Sequence, residues 1–295
     1  MEKYMNAAEV QKKLDSRLMK NHIAKKVFFL STLVGLIVLA ILIYRVFSQS
    51  IGWLDFDFLT NKLSTDPERA GIMGAISGTF WLMLVVAPVT FILGVGTAIY
   101  LEEYARKGRF QAFIQINISN LAGVPSIVFG LLGLTVFVRG LDLGAVILAG
   151  GLTMALLVLP VVVVSAQEAI RAVPQFLRDA SYGMGATKWQ TIKNVVLPAA
   201  LPGILTGIIL ALSRAIGETA PLVVLGIPAL LIPLPDGLFD KFTIMPLQIY
   251  YWTIDAALVK EYANLASASI VILLLILFIM NGLAIGIRNK FQKRY

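Results

Sequence analysis

The polar residues of this chain gather into short clusters and leave six long apolar runs between them, at about 27–47, 73–100, 113–138, 143–166, 199–225 and 265–287. A helix rising 1.5 Å per residue needs roughly 20 apolar residues to cross the hydrocarbon of a bilayer. Each run meets that length, and a backbone in lipid must satisfy its own hydrogen bonds. The pattern therefore predicts an all-α, polytopic membrane protein with six transmembrane helices. The runs are not equally plain. Pro88 sits inside the second, and Asn117, Asn120, Gly123 and Pro125 interrupt the third. Asn120, Gly123, Pro125 and Ser126 are out of place against lipid and are expected to face the bundle. There they either line a path or satisfy one another at a tight crossing. The pairs Gly74/Gly78, Gly203/Gly207 and Gly282/Gly286 predict close helix contacts.

Composition agrees: 58% of residues are hydrophobic and 14% charged, with mean hydropathy +0.82, against about a quarter charged in a soluble domain. Charge adds orientation. Of the 25 lysines and arginines, eighteen fall in the N-terminal segment, 101–111, 167–198 and the tail, and six on the opposite side. The positive-inside rule then puts both termini in the cytoplasm. That asymmetry accounts for the net charge of +8 without a nucleic-acid partner. Four regions follow: a basic N-terminal segment (1–26), a first span with its external loop (27–70), a core (71–287) and a basic tail (288–295), with no second domain. The N-terminal run is too long for a cleavable signal, and no small-x-small site follows it. Val10, Leu14 and Leu18 recur at helical spacing among basic residues, either as an amphipathic helix on lipid at the inner leaflet or as a solvated basic tail.

Several chemistries drop out. There is no cysteine, and the single histidine, His22, lies in the basic N-terminal segment, so no metal site or Ser-His catalysis is expected within the bundle. The spans hold no nucleophile–base pair, and no Gly-x4-Gly-Lys-Ser/Thr loop is present to hold ATP. No catalytic residue and no cofactor is expected.

Two stretches remain to be explained. The first, "RAVPQFLRDASYGMGATKWQTIKNVVLP" at 171–198, is too polar to span and too patterned for a passive loop. Pro174 suits a helix first turn; Phe176, Leu177, Ala180 and Met184 share a side; Gly183 and Gly185 break the helix. Thr187 with Gln190 starts a second helix as a capping box, running through Trp189, Ile192 and Val195 to Leu197 and Pro198. The pair either offers a partner an apolar, aromatic surface or packs on the protein's own inner face.

The second stretch, "ALSRAIGETAPLVVLG" at 211–226, puts Arg214 and Glu218 in the fifth run, about 22 Å along the helix from residue 199 at 1.5 Å per residue. An arginine at the bilayer centre costs roughly 2.5–3.5 kcal/mol on insertion scales. Either the two close on each other and fix helix packing, or the guanidinium fork binds an oxyanion while Glu218 orients it. Glu218 can also accept a hydrogen bond from a protonated anion such as monohydrogen phosphate, which sulfate cannot offer. Pro221 is expected to kink the helix rather than break it, with Ser213 beside the pair and Thr219 near exposed backbone N–H groups.

Both stretches resemble one family. Permeases of bacterial ABC importers carry Glu-Ala-Ala, three residues, Gly, nine residues, Ile, one residue, Leu-Pro. Here Asp179-Ala180-Ser181, Gly185, Val195 and Leu197-Pro198 keep that spacing. "SRAIGETAPLVVLG", "GTAIYLEEYARKG" and "NLAGVPSIVFGLLG" further resemble the phosphate permeases of PstA type, from about residue 71 onward. The resemblance implies an ABC importer permease fold with coupling helices between spans four and five. It implies a bacterial or archaeal plasma-membrane subunit that forms a phosphate pathway with a sister permease, takes phosphate from an extracytoplasmic binding protein and docks on two cytoplasmic ATPase subunits. The substrate residues would be Arg214, Glu218, Thr219, Ser213, Asn120 and Ser126; the coupling residues would be Phe176, Asp179, Ala180, Ser181, Gly185, Leu197 and Pro198. A permease for molybdate, sulfate or phosphonate is the nearer alternative, and an ATPase-independent channel the further one.

Overall fold

The structure, a computed structural model, describes residues 7–228 and 234–291, with side chains for all but 7–13, 15, 287 and 291. The start of the basic segment with the side chain of Val10, residues 229–233 and the end of the tail lie outside the described residues. Those described form helices and no strand: α1 (Ala7–Ser50), α2 (Phe56–Thr60), α3 (Met73–Ile99), α4 (Arg109–Leu121), α5 (Ser126–Gly133), α6 (Ile147–Arg171), α7 (Gln175–Gly183), α8 (Lys188–Thr191), α9 (Leu197–Gly217), α10 (Ala220–Val224), α11 (Met245–Asp255) and α12 (Glu261–Phe291). Five helical runs are long and apolar enough to cross a membrane, and α4 with α5 makes a sixth if that bent pair is one span.

Three runs are longer than the apolar pattern alone indicates, because wide π turns carry the backbone on. Tyr100–Tyr104 extends α3, Leu134–Gly140 extends α5, and Ile192–Val196 joins α8 to α9. The last explains why Pro198 does not break its helix. Its missing N–H falls just after the π turn, where the Leu197 N–H already reaches back five residues to Ile192 O. At the N-terminus, the expected surface helix and first span are one uninterrupted helix of 44 residues. Residues 7–26 contain neither glycine nor proline, so nothing stops it. Most of its described apolar side chains, Leu14 and Leu18 included, are exposed, and it packs chiefly on α12, where Ser267 donates to Gln49 Oε1 at 3.0 Å.

The core lies around α6, which sits between α3 and α9. Leu82, Val85 and Val86 of α3 meet Met154, Val158 and Val162 of α6, with Ile204, Ile208 and Ala211 of α9 on the other side. Lipid tails are as apolar as leucine, so contact area rather than expulsion of water holds such helices together. Glycine permits the close approach: a Cβ on Gly151 would stand 2.7 Å from Val85 Cβ, and one on Gly203 2.8 Å from Ala169 Cβ. Gly207 likewise meets Ser165 of α6, the helix contact its spacing predicts, whereas Gly78 meets the backbone of Thr243 in the non-helical segment before α11. Around Gly282 and Gly286, nothing among the described residues lies within 4 Å of an added Cβ. A second cluster, including Phe58, Ile72, Trp252 and Leu265, ties the 50–72 segment, α11 and α12 together.

Candidate functional site

The third apolar run is not one helix. α4 ends at Leu121, α5 starts at Ser126, and their axes are bent by 103°. Pro125 lacks an N–H and disfavours helical backbone in the residue before it. The intervening residues turn on local bonds, Gly123 N–H to Asn120 O at 3.0 Å and Val124 N–H to Leu121 O at 3.2 Å.

The fifth run also breaks, which corrects the expected kink. α9 stops at Gly217, Glu218 adopts an extended conformation (φ −78°, ψ 130°), and α10 begins at Ala220. Pro221 is well placed in that first turn, where its missing N–H breaks no bond. The N–H exposure expected beside Thr219 is partial: the backbone N–H groups of Thr219 and Ala220 have no hydrogen-bond partner among the described residues, whereas the next positions are satisfied. Leu222 and Val223 already donate to Thr219 O, both at 3.1 Å, and proline has nothing to donate.

The two breaks face one another. Residues 122–126 of the first, Leu157, Val158 and Val161 of α6, and Arg214 and Glu218 line a cavity of about 220 Å³. Arg214 occupies the last turn of α9, where the carbonyl ends favour a cation by about 0.3–1 kcal/mol. Its Nε stands 3.6 Å from Glu218 Oε1, and among the described residues the guanidinium has no hydrogen-bond partner. The arginine side chain is 61% exposed in this chain and the glutamate 20%. So Arg214 is not buried as its place in the sequence indicates. Ion pairs this open and long contribute about 0–1 kcal/mol. The pair is a poor packing device, and its fork is left free at the edge of an apolar cleft.

The other expected pathway residues divide. Ser126 lines the cavity. Ser213 does not: its hydroxyl donates to Asn281 Oδ1 of α12 at 2.6 Å. Asn120 is exposed at the end of α4, outside the cavity lining, with its carbonyl used in the turn. Thr219 is half-buried, and its carbonyl caps α10.

At the end of the bundle that carries α7 and α8, the loop is the helix pair its sequence predicts. Pro174 is the residue before α7 rather than inside it. Gly185 takes φ +83°, left-handed backbone that favours glycine, and Thr187 and Gln190 form the capping box. Ser181 and Thr191 join the two helices through their hydroxyls at 2.9 Å, and Asp179 accepts from Gln175 at 3.1 Å. Leu177 and Leu197 pack on the core and Ile192 is buried, whereas Phe176, Met184 and Trp189 are 67%, 89% and 55% exposed. Ala180 and Pro198 are exposed too. One side is packed and the other is open.

Residues 91–294 match the family of binding-protein-dependent transport system inner membrane components. The chain belongs to that family. As a permease it has relatives along nearly its whole length. The phosphate transport system permease protein PstA of Yersinia pestis is 31% identical over 276 residues, covering 93% of this chain and 92% of that one. PstA 1 of Mycobacterium tuberculosis (strain CDC 1551 / Oshkosh) is 40% identical over 215 residues, covering 71% and 70%. The fold is similar to that of a chain of a bacterial alginate ABC transporter crystallised with its alginate pentasaccharide-bound periplasmic protein, with TM-score 0.63, 17% identity and coverage of 92% and 93%. It is also similar to the inward-facing MetNI methionine ABC transporter, with TM-score 0.59, 16% identity and coverage of 75% and 96%. The permease is therefore a multi-pass inner-membrane transport subunit.

Sequence reasoning missed a charged network behind the permease's helix pair. Glu102 and Glu103, at the end of α3, bind Arg171 and Arg178, which lie 69 and 75 residues away. The only sequence signal was an acidic pair, "EE", in a segment otherwise counted for its basic residues.

Proposed function

We propose that this chain is the permease subunit of an ATP-driven importer of inorganic phosphate. The observation that carries it is the free guanidinium of Arg214 at an apolar-walled cleft between two helix breaks, with Glu218 as its loose partner. A guanidinium fork matches two oxygens of a tetrahedral anion, and each charge-assisted hydrogen bond contributes about 1.5–3 kcal/mol. Glu218 accepts a hydrogen bond from the hydroxyl of monohydrogen phosphate, and sulfate, having no proton to donate, meets an unpaired carboxylate instead. Full-length relatives that are phosphate permeases support the same anion. Arg214 lies open in this chain, so a sister permease would close the other wall. The ion must leave as readily as it binds, which favours a weak, transient site.

Both termini face the cytoplasm in this reading, because the basic residues collect on that side. Phe176, Met184 and Trp189 then meet a separate ATPase, on which hydrolysis takes place; this chain performs no covalent chemistry. A binding protein delivers phosphate to the opposite face. The test is labelled-phosphate uptake in cells lacking this subunit, restored with wild type, Arg214→Gln or Arg214→Lys, with excess unlabelled sulfate and molybdate as competitors. Wild type is expected to restore uptake that neither competitor blocks, Arg214→Gln to abolish it while still assembling, and Arg214→Lys to recover part. Normal uptake by Arg214→Gln would refute the site, and competition by sulfate or molybdate would shift the assignment to another oxyanion.

A further inference from the structure

Of the two helices that flank the α4–α5 break, α4 is the looser. It buries none of its residues in this chain and packs chiefly on α6. Its main polar tie is Gln115, which forms a reciprocal amide pair with Gln167 of α6: Gln167 Nε2 donates to Gln115 Oε1 at 2.9 Å, and Gln115 Nε2 to Gln167 Oε1 at 3.2 Å. Gln167 is 1% exposed, and its amide also donates to Glu102 at 2.8 Å. A buried polar network is held firmly when every member is satisfied.

That network continues to the α7–α8 pair. Arg171 makes two parallel hydrogen bonds to Glu102, at 2.8 and 2.6 Å. Arg178, on α7 itself, donates to Glu103 at 3.0 Å and to the carbonyls of Ile170 and Val173 at 3.0 and 2.7 Å. Arg178 and Glu103 side chains are 13% and 9% exposed, so this pair is not screened as a surface pair is. A shift of α7 therefore carries Arg178 and the end of α3 with it, and through Glu102, Gln167 and Gln115 it reaches α4. Six residues beyond Gln115, about 9 Å along the helix at 1.5 Å per residue, α4 ends at the break whose residues wall the Arg214 cleft.

We infer that the Gln115–Gln167 pair, anchored by Glu102 and the two arginines, is the link through which movement of the α7–α8 pair opens or closes the cleft at the α4–α5 break. Gln115 and Gln167 are positioning residues; neither touches the transported ion. The inference rests on the reading of the chain as an ATP-driven permease.

The test uses the whole transporter, this chain with its partner subunits, in proteoliposomes with phosphate-loaded binding protein. ATP hydrolysis and phosphate uptake are measured together for wild type, Gln115→Leu and the double variant Gln115→Leu/Gln167→Leu. The double variant removes both partners, so neither member of the pair is left unsatisfied on folding. Both variants are expected to assemble and to hydrolyse ATP within about twofold of wild type, while phosphate moved per ATP falls about tenfold, about 1.4 kcal/mol. A second readout needs no phosphate. The chain has no cysteine, so with cysteine-free partner subunits spin labels at Ala122→Cys, which lines the cleft, and Leu210→Cys, one turn before Arg214 on α9, report its width. Their separation is expected to change on nucleotide binding in wild type and to stay fixed in the double variant. Phosphate per ATP near the wild-type value with the nucleotide-dependent change intact would overturn the link. Parallel loss of hydrolysis, uptake and assembly in both variants would also overturn it, by showing a fold contact only. A wild-type transporter that shows the distance change but moves no phosphate would instead sink the phosphate reading, leaving the link to be judged by the labels.

Discussion

Replacing Gly130 by alanine tests whether the second helix break is held by packing from α5. A Cβ at that position would stand 2.8 Å from both Cα and O of Pro221 and 3.1 Å from Val224 Cβ. Carbon contacts are comfortable at about 3.5–4.0 Å, so α5 and α10 must separate by up to about 1 Å. The two nearest atoms are backbone and cannot rotate away. Overpacking of this kind costs about 1–3 kcal/mol, and exchanging a helical glycine for alanine returns about 1 kcal/mol. The remainder, roughly 0–2 kcal/mol, corresponds to a factor of up to about 30 in an equilibrium. It falls on the contact that fixes Pro221, three residues from Glu218. Gly130→Ala is therefore expected to lower the melting temperature of the purified complex modestly and to reduce phosphate uptake several-fold more than protein amount. Gly96→Ala serves as the control, since nothing lies within 4 Å of a Cβ there. If Gly130→Ala melts and transports as wild type does, the α5–α10 contact does not set the geometry of the cleft.

Other substitutions separate the helix pair from the cleft. Gly185→Ala places a side chain at φ +83°, which costs about 1–2 kcal/mol, and should depress uptake and transport-linked ATP hydrolysis together; Gly185→Asn should be milder. Met184→Asp with Phe176→Asp changes two side chains that are 89% and 67% exposed, so the chain's own melting should barely move while co-purification of the ATPase is lost. Retained co-purification would remove that surface from the docking site. Asp55→Ala deletes the 2.7 Å bond from the Phe58 N–H that caps α2, and should cost about 1 kcal/mol of stability without altering uptake per folded molecule. An uptake defect beyond the loss of folded protein would place that loop in transport.

What the sequence determined by itself follows from local rules. Length and apolarity set the spans, since any run of roughly 20 apolar residues satisfies a bilayer as a helix. The capping box of Thr187 and Gln190, the turn at Gly185 and the i,i+4 approach of Arg214 to Glu218 are likewise local, needing only neighbours within one turn. The third-run interruption was visible in Gly123 and Pro125, but its 103° bend was not, because a proline permits many angles and packing chooses one. Tertiary structure alone decided that the fifth span ends at Gly217, where α5 packs through Gly130 on α10 and leaves Arg214 open rather than buried. It alone joined Glu102 and Glu103 to Arg171 and Arg178, and Gln115 to Gln167, 52 residues apart. Spacing in the chain carries no record of such pairs. They exist because α3, α4, α6 and α7 converge at one end of the bundle, where Gln167 is buried and Glu102, Glu103 and Arg178 are largely covered, and burial obliges such groups to find partners.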